Sequence, residues 1–252
     1  MDFLNYAYLQ VGEDDKAKAI VTKVQTMNPM AGHDMHEYLD MARAGFPATY
    51  EIEMRHWNKA ASLDPKMATK PENVAVIYWA RAIGNGHLRD AAAAKENLTH
   101  YDAMAEEVKK GPDAYIAEYM DTGRDEIRVW IAFAEERNDD AAKIMRSVAY
   151  KQDEYGKGEV EIPAREMLAD ILLESDHAQE ALAEYEHSMK IDPNRFNGLY
   201  GAARAAQMAR QPAAAQKYYA QLVRNCTGAT SDRPELARAR EKVAGKTVAG
   251  GD

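Results

Sequence analysis

The chain has 252 residues, 46% of them apolar, which is enough to bury a continuous core instead of remaining disordered. Its net charge of −9 argues against a general nucleic-acid binder, because affinity for phosphate backbones comes from clustered lysine and arginine. One cysteine, Cys226, excludes an intrachain disulfide framework. No apolar run approaches the ~20 residues of a membrane-spanning helix, and no signal-peptide pattern opens the chain. We expect a soluble protein, and the sequence does not separate cytoplasm from periplasm.

Charge is distributed unevenly along the chain. Residues 195–252 carry ten basic and four acidic side chains, a net charge of +6, whereas residues 1–194 carry a net charge of −15. This asymmetry fits an acidic partner or head-to-tail contact between copies of the chain. The simpler interpretation is a solvated helical surface with uneven charge and no charged partner.

The predicted elements are all helical. Ala, Leu, Glu, Lys and Met fill the periodic stretches, and even the most strand-like segment, 74–78, continues into helical composition. Pro47 lies inside the third helix and should kink it or split it in two. Trp57, Trp79 and Trp130 have apolar neighbours and should pack in the core. The predicted helices span 2–11, 14–27, 32–54, 72–84, 87–109, 113–136, 138–153, 162–174, 178–190, 195–209, 212–224 and 233–243.

An internal repeat is the strongest signal in the sequence. Ala181 matches Ala215 and Tyr185 matches Tyr219, both at a spacing of 34 residues. A further copy at the N-terminus places Leu4-Asn5, Tyr8, Ala17, Val21 and Pro29 at corresponding positions. Small side chains let two helices approach, the aromatic fills the gap to the next pair, and proline ends the second helix. Degenerate copies between these are indicated at Trp57 with Ala60, at Leu88 with Ala91–Ala94, and at Ala141.

This pattern resembles the tetratricopeptide repeat. The resemblance implies an all-α, right-handed superhelical solenoid of about six antiparallel hairpins with a polar C-terminal capping helix. We expect one repeat domain over 1–243, with regular repeats at 1–29, 162–194 and 196–229, degenerate repeats over 32–153 and a disordered tail at 244–252. Through stretches such as 163–168 and 193–206, the chain is also similar to the C-terminal half of a group of bacterial tetratricopeptide-repeat proteins that carries no enzymatic assignment.

The resemblance implies binding of a protein or peptide partner through a concave face lined by the first helix of each hairpin. The face should include Glu166, Asp170, Leu173, Glu174, Asn197, Tyr200, Arg204, Gln207 and Met208, with Tyr6, Leu9 and Gln10 in the first copy. The best-known family mode clamps a terminal carboxylate with Lys and Asn. Glu166 and Asp170 stand there instead and would repel it. Tyr200, Arg204 and Met208 fit an apolar or acidic peptide, or are exposed helix residues without a ligand.

A metal site is a weaker candidate. His33 and His36 lie one helical turn apart, with Glu37 or Asp40 close by, in a methionine-rich stretch. Core packing by the methionines is the alternative interpretation. A small-molecule or metal-binding module, with helices 87–136 around a pocket, is therefore the rival function. No Ser, His and Asp or Cys and His constellation indicates nucleophilic catalysis, so we expect no enzymatic activity and no cofactor.

The first helix carries an apolar run of Phe3, Leu4, Tyr6, Ala7, Tyr8 and Leu9. With no preceding hairpin in this sequence to cover it, some of this surface should be open. Self-association through this helix is therefore expected.

Overall fold

The computed structural model describes residues 1–28, 33–156 and 161–247. These residues form thirteen α-helices and one short 3-10 helix, Pro65–Met67, and contain no β-strand, which confirms the all-α prediction. Predicted closing residue Pro29 lies outside the described residues, as do residues 248–252 of the predicted tail. The helices are α1 (Asp2–Gln10), α2 (Asp14–Thr26), α3 (His33–Glu53), α4 (Trp57–Ala61), α5 (Pro71–His87), α6 (Ala91–Lys110), α7 (Ile116–Ala134), α8 (Asn138–Tyr155), α9 (Ala164–Glu174), α10 (Ala178–Ile191), α11 (Phe196–Met208), α12 (Pro212–Asn225) and α13 (Pro234–Thr247).

Six connections between helices share one turn geometry. A residue with positive φ stands in each of them, and the next helix begins two residues later. The N–H of the residue after it donates to the carbonyl oxygen five residues earlier, at 2.8 or 2.9 Å in all six turns. This is the hydrogen bond of a Schellman motif, which satisfies a free carbonyl at a helix end. The turn residues are Gly12, Arg55, Arg89, Glu136, Asp176 and Arg210. The described residues therefore contain six helix pairs, from α1/α2 to α11/α12, followed in sequence by α13.

Each helix pair carries small or compact buried residues at two fixed distances from its turn. The residue five positions after the turn is always a buried alanine: Ala17, Ala60, Ala94, Ala141, Ala181 and Ala215. The residue seven positions before the turn is also buried: Asn5, Ala48, Ala82, Val129, Ala169 and Ala203. Such residues let helices approach closely. The packing prediction for Ala181 and Ala215 is confirmed, and the repeat continues through the middle of the chain.

The described residues group into two compact units. Unit 1 contains the described residues within Met1–Ala17 and Lys151–Asp252, and unit 2 contains those within Lys18–Tyr150. In unit 1, α9 packs on α10, α10 on α11, α11 on α12 and α12 on α13. A Cβ atom at Gly201 would lie 2.2 Å from Cζ of the buried Tyr185, so α11 can approach α10 only with glycine at this position. Helix α13 extends to Thr247, so residues 244–247, assigned to the tail from the sequence, are helical.

Unit 1 also joins the two ends of the chain. The side chain of Gln10 accepts a 2.8 Å hydrogen bond from the N–H of Phe196, at the start of α11. Buried Arg233 donates to the carbonyl of Leu9 at 3.1 Å and to the carboxylate of Asp14 at 2.6 Å. Its guanidinium also lies 4.2 Å from the ring centroid of Phe196. The N-terminal segment is therefore held against residues that follow it by 186 to 224 positions in sequence.

Unit 2 is built around α5, which packs on α3, α4, α6 and α7. Trp130 is fully buried, as predicted, whereas Trp57 and Trp79 are half-buried. The ring of His87 stacks on Trp57, with centroids 3.7 Å apart, and lies 4.3 Å from Trp130. The buried core also includes Ala75, Ala82, Ala94, Tyr101, Ala105, Val108, Ala117, Met120, Ile127 and Ile131.

Helix α3 runs through Pro47 without a break. Proline has no N–H to donate to the carbonyl of Arg43, four residues earlier. The side chain of Gln25 donates to that carbonyl at 3.0 Å. The guanidinium of Arg43 in turn donates to the carbonyl of Met27 at 2.7 Å. A partner from α2 thus supplies the missing hydrogen bond, and the predicted split of this helix does not occur.

Candidate functional site

The positions predicted to face a partner recur at a spacing of 34 residues in α9, α11 and α13. Asp170, Arg204 and Arg238 form one such series, and Glu166, Tyr200 and Pro234 form another. Helix α13, predicted as a polar cap, therefore continues the register of the first helices of the two preceding pairs.

Among the residues with polar groups predicted on α9 and α11, three are buried. Glu166 is 3% exposed, Asn197 6% and Tyr200 6%. The carboxylate of Glu166 accepts hydrogen bonds from Arg195 at 2.9 and 3.1 Å, and both side chains are nearly inaccessible. Since a buried ion pair satisfies two charges inside the fold, Glu166 acts in packing α9 against the start of α11.

Asp170 is half-buried and accepts a 2.5 Å hydrogen bond from the hydroxyl of Tyr185. Leu173 is buried and Glu174 is exposed. The face of α9 is thus mostly committed to contacts inside unit 1.

One face of α13 and Tyr200 of α11 line a cleft with a volume of about 430 Å³. Predicted residue Tyr200 and Arg238 both line it, and the phenol of Tyr200 acts on the guanidinium of Arg238 to raise its pKa. Arg204 lies one helical turn after Tyr200 on the same face of α11. The remaining lining residues, all from α13, are Pro234, Glu235, Ala237 and Glu241.

Two arginines converge on a pair of tyrosines at this cleft. The rings of Tyr200 and Tyr219 meet edge to face with centroids 6.2 Å apart. Burial raises the pKa of the Tyr219 hydroxyl, as does the neighbouring Tyr200, whereas the positive charges of Arg238 and Arg204 act to lower it. The positive charges of Arg204 and Arg238 therefore both act on the phenol of Tyr219.

Gln207 and Met208 lie at the C-terminal end of α11 and are exposed, Met208 to 42%. They extend the face that carries Tyr200 and Arg204 with one polar and one apolar side chain. Arg238 was missed by sequence reasoning. Its signal was the 34-residue interval from Arg204, the same interval that relates Ala181 to Ala215.

The predicted residues of the first helix are used inside unit 1. Leu9 is fully buried and Gln10 is 7% exposed. The ring of Tyr6 lies 5.6 Å from the guanidinium of Arg195. Helix α1 therefore contacts the start of α11, whereas the cleft that contains Tyr200 lies further along α11.

A second cavity in unit 1, of about 340 Å³, lies beside the end of α8 and the start of α9. Arg165 lines it and is paired with Asp153 and Glu184. Ser188, which is 3% exposed, also lines the cavity, and its hydroxyl is buried without a hydrogen-bond partner among the described residues.

The candidate metal site is only partly described. His36 is exposed, and the side chain of His33 lies outside the described residues. Asp40 is engaged elsewhere, since it accepts hydrogen bonds from Thr69, Lys70 and Asn73. Among described residues, no three His, Cys, Asp or Glu side chains are grouped to hold a metal ion.

Within the described ranges, no helix combines the length and apolar content needed to cross a bilayer. The sequence matches no protein-family model, and no curated protein is significantly similar to it. The candidate site is therefore defined by its own geometry.

Proposed function

We propose that this protein is a helical-repeat scaffold of the tetratricopeptide type that binds a protein or peptide segment and catalyses no reaction. Six identical turns and the alanine that follows each of them support the repeat type. The proposal includes the right-handed superhelical arrangement that such repeats adopt.

The observation that carries the proposal is the cleft between α11 and α13. Tyr200 and Arg238 line it, and Arg204 lies one helical turn after Tyr200 on the same face of α11. Tyrosine and arginine are enriched among the residues that dominate binding energy in protein interfaces, because each offers both apolar area and directed hydrogen bonds. The exposed Met208 provides an adaptable apolar contact at the end of the same face.

A peptide-display selection against the purified protein tests this function. Selected peptides should bind the unmodified protein and lose about tenfold in affinity when Arg204 is replaced by alanine. Tyr200→Ala should weaken binding further, and its circular dichroism spectrum separates this loss from unfolding. Lys217→Ala, an exposed change on α12, is the matched control. Selected peptides that bind all variants equally would place binding elsewhere, and a selection that yields no binder would contradict the function.

A small-molecule module is the second candidate, and the cavity at Arg165 and Ser188 favours it. A buried hydroxyl without a partner costs free energy that a bound polar ligand would recover. A thermal-shift screen with polar metabolite-sized compounds should find stabilisers that fail with Ser188→Ala. Equal stabilisation of both proteins would remove this site from consideration.

A further inference from the structure

We propose that the cleft between α11 and α13 takes an internal acidic segment of a partner protein, whose side-chain carboxylates bind between Arg204 and Arg238. This inference rests on the proposed binding function and adds the chemistry of the partner.

The first support is the repetition of arginine at one register. Arg204 on α11 and Arg238 on α13 are 34 residues apart, the interval that also relates Ala181 to Ala215. Arg204 is half-buried and forms no ion pair with any carboxylate of the described residues. Arg238 is exposed and lines the cleft together with Tyr200. Two positioned guanidiniums offer the planar donors that carboxylates bind in a bidentate manner.

The second support is the charge of the surrounding surface. Two basic residues in the turns that precede α11 and α13 form buried salt bridges. These are Arg195 with Glu166 and Arg233 with Asp14. Between residues 195 and 245, the remaining basic side chains of α11, α13 and their flanking turns are at least partly exposed: Arg204, Arg210, Arg238, Arg240 and Lys242. Only Asp232, Glu235 and Glu241 oppose them between residues 195 and 245. An acidic segment would therefore be steered towards this end of unit 1.

Two carboxylates of the cleft itself shape the binding mode. Glu235 and Glu241 each lie three residues from Arg238 on α13. At this spacing their side chains lie on the same face of α13 as Arg238 and partly neutralise its charge. Arg204 has no such neighbour on α11, where the corresponding position is Gln207. The strongest attraction for a carboxylate is consequently at Arg204, with Arg238 and the phenol of Tyr200 completing the site.

The binding mode differs from capture of a chain terminus, because the positions that would bind a terminal carboxylate in α9 hold Glu166 and Asp170. Blocking the peptide's terminal carboxylate should therefore leave affinity unchanged. The charge of the peptide's side chains should instead determine the affinity.

The test uses fluorescence anisotropy with the full chain and a labelled twelve-residue peptide in which Glu and Asp alternate with Leu and Tyr. Its matched control is the same peptide with Gln and Asn in place of the acids. We expect the acidic peptide to bind at least tenfold more tightly, and an amidated C-terminus to make no difference. Raising the salt concentration tenfold should weaken binding by about tenfold, since the contacts are largely charge–charge.

Single variants identify the site. Arg204→Gln and Arg238→Gln should each weaken binding of the acidic peptide by about tenfold, and Arg238→Lys should retain part of the affinity. Arg224→Gln, on the exposed surface of α12, is the control and should bind as the unmodified protein does. Equal binding of the acidic and amide peptides, or equal losses in the three Arg→Gln variants, would overturn the inference.

Two outcomes separate this inference from its alternatives. If display-selected peptides bind the cleft without any preference for acidic side chains, the binding function stands and the acidic partner is wrong. If Arg204→Gln instead dissolves a self-assembled species seen by sedimentation, the occupant is a second copy of this chain. If peptides of neither kind bind, the proposed function itself is contradicted.

Discussion

At the scale of single residues, burial decides the role of the carboxylates that the repeat pattern placed on one face. Glu166 and Asp170 lie on the same face of α9, one helical turn apart. Glu166 is sealed against Arg195, whereas Asp170 is half-buried and bonded to Tyr185. A helical period assigns residues to a face, but the depth of each residue depends on which neighbouring helix covers it.

The Glu166–Arg195 pair yields the first prediction. Replacing Glu166 with alanine leaves a buried guanidinium without its carboxylate, which typically costs about 3–5 kcal/mol. Urea unfolding followed by circular dichroism should show this loss. Glu154→Ala, at an exposed position of α8, should change the free energy of unfolding by less than about 0.5 kcal/mol. A loss of similar size in both variants would show that the pair contributes nothing specific.

Cys226 yields the second prediction. Burial raises the pKa of its thiol to about 11, so only about one thiol in a thousand is ionised at pH 8. A thiol reagent should therefore react with the folded protein much more slowly than with free cysteine. The rate should rise to the free value in denaturant. A native protein that reacts at the free rate would contradict the buried position.

At the scale of elements, the helix pairs are defined by their turns more than by their helix lengths. In the six turns between paired helices, five of the positive-φ residues are Arg, Glu or Asp, and only Gly12 is glycine. Non-glycine residues in this conformation carry a steric cost. The repeated Schellman hydrogen bond and the packing of the paired helices offset it. The usual glycine signal for a helix end is therefore missing from most of this sequence.

The start of α5 depends on a side chain from α3 and gives the third prediction. Asp40 accepts four hydrogen bonds, from both backbone and side chain of Thr69 and from Lys70 and Asn73, at 2.7–3.0 Å. Burial opposes ionisation of this carboxyl, but the hydrogen bonds outweigh it and hold its pKa below the ordinary value.

Asp40→Ala should destabilise unit 2 by about 1–2 kcal/mol at neutral pH. Because the pKa is lowered in the folded state, the stabilisation is complete above roughly pH 4 and is lost as the pH falls through the folded value. Unfolding measured at pH 7 and pH 3 should therefore show a smaller difference between variant and wild type at pH 3. Glu107→Ala, in an exposed pair with Lys110, should have little effect at either pH.

The attachment of α1 gives the fourth prediction. Arg233 holds Leu9 and Asp14, and a Cβ atom at the adjoining Gly12 would lie 3.4 Å from Sγ of Cys226. Arg233→Met should make the N-terminal segment detach more often, which exposes the thiol. Labelling of Cys226 under native conditions should accelerate by at least tenfold. Arg224→Met is the control, and a rate unchanged in both variants would show that α1 does not cover Cys226.

At the scale of the whole molecule, exposed apolar surface is the basis of the expected self-association. Helix α1 buries Leu9 but leaves Phe3 65% and Leu4 48% exposed, and Val11 follows it at 40%. The predicted apolar surface is thus divided, with one part packed inside unit 1 and one part open to solvent.

Phe3→Glu combined with Leu4→Glu forms the fifth prediction. If copies associate through this surface, the double variant should remain monomeric at concentrations where the wild type associates, because it places charge at the contact. Light scattering across a concentration series measures this. Tyr119→Glu, at a residue 76% exposed on α7, is the control. A wild-type protein that is monomeric at every concentration would contradict the prediction.

The sequence by itself determined the helical class, most helix boundaries to within about three residues, and the alanines that pair the helices. These follow from local composition and from a repeated spacing, which act over one or two turns of chain. It also identified Tyr200 and Arg204 as neighbours on one face of α11.

Tertiary structure alone decided which residues of that face are accessible. In the folded protein Glu166 forms a buried ion pair with Arg195, and Arg238 lies beside Tyr200. Gln25 donates the hydrogen bond that allows α3 to continue through Pro47, and Gln10 of α1 bonds to the start of α11. Each of these contacts joins residues far apart in sequence. Their formation depends on how packed helices share a small volume, which no local pattern encodes.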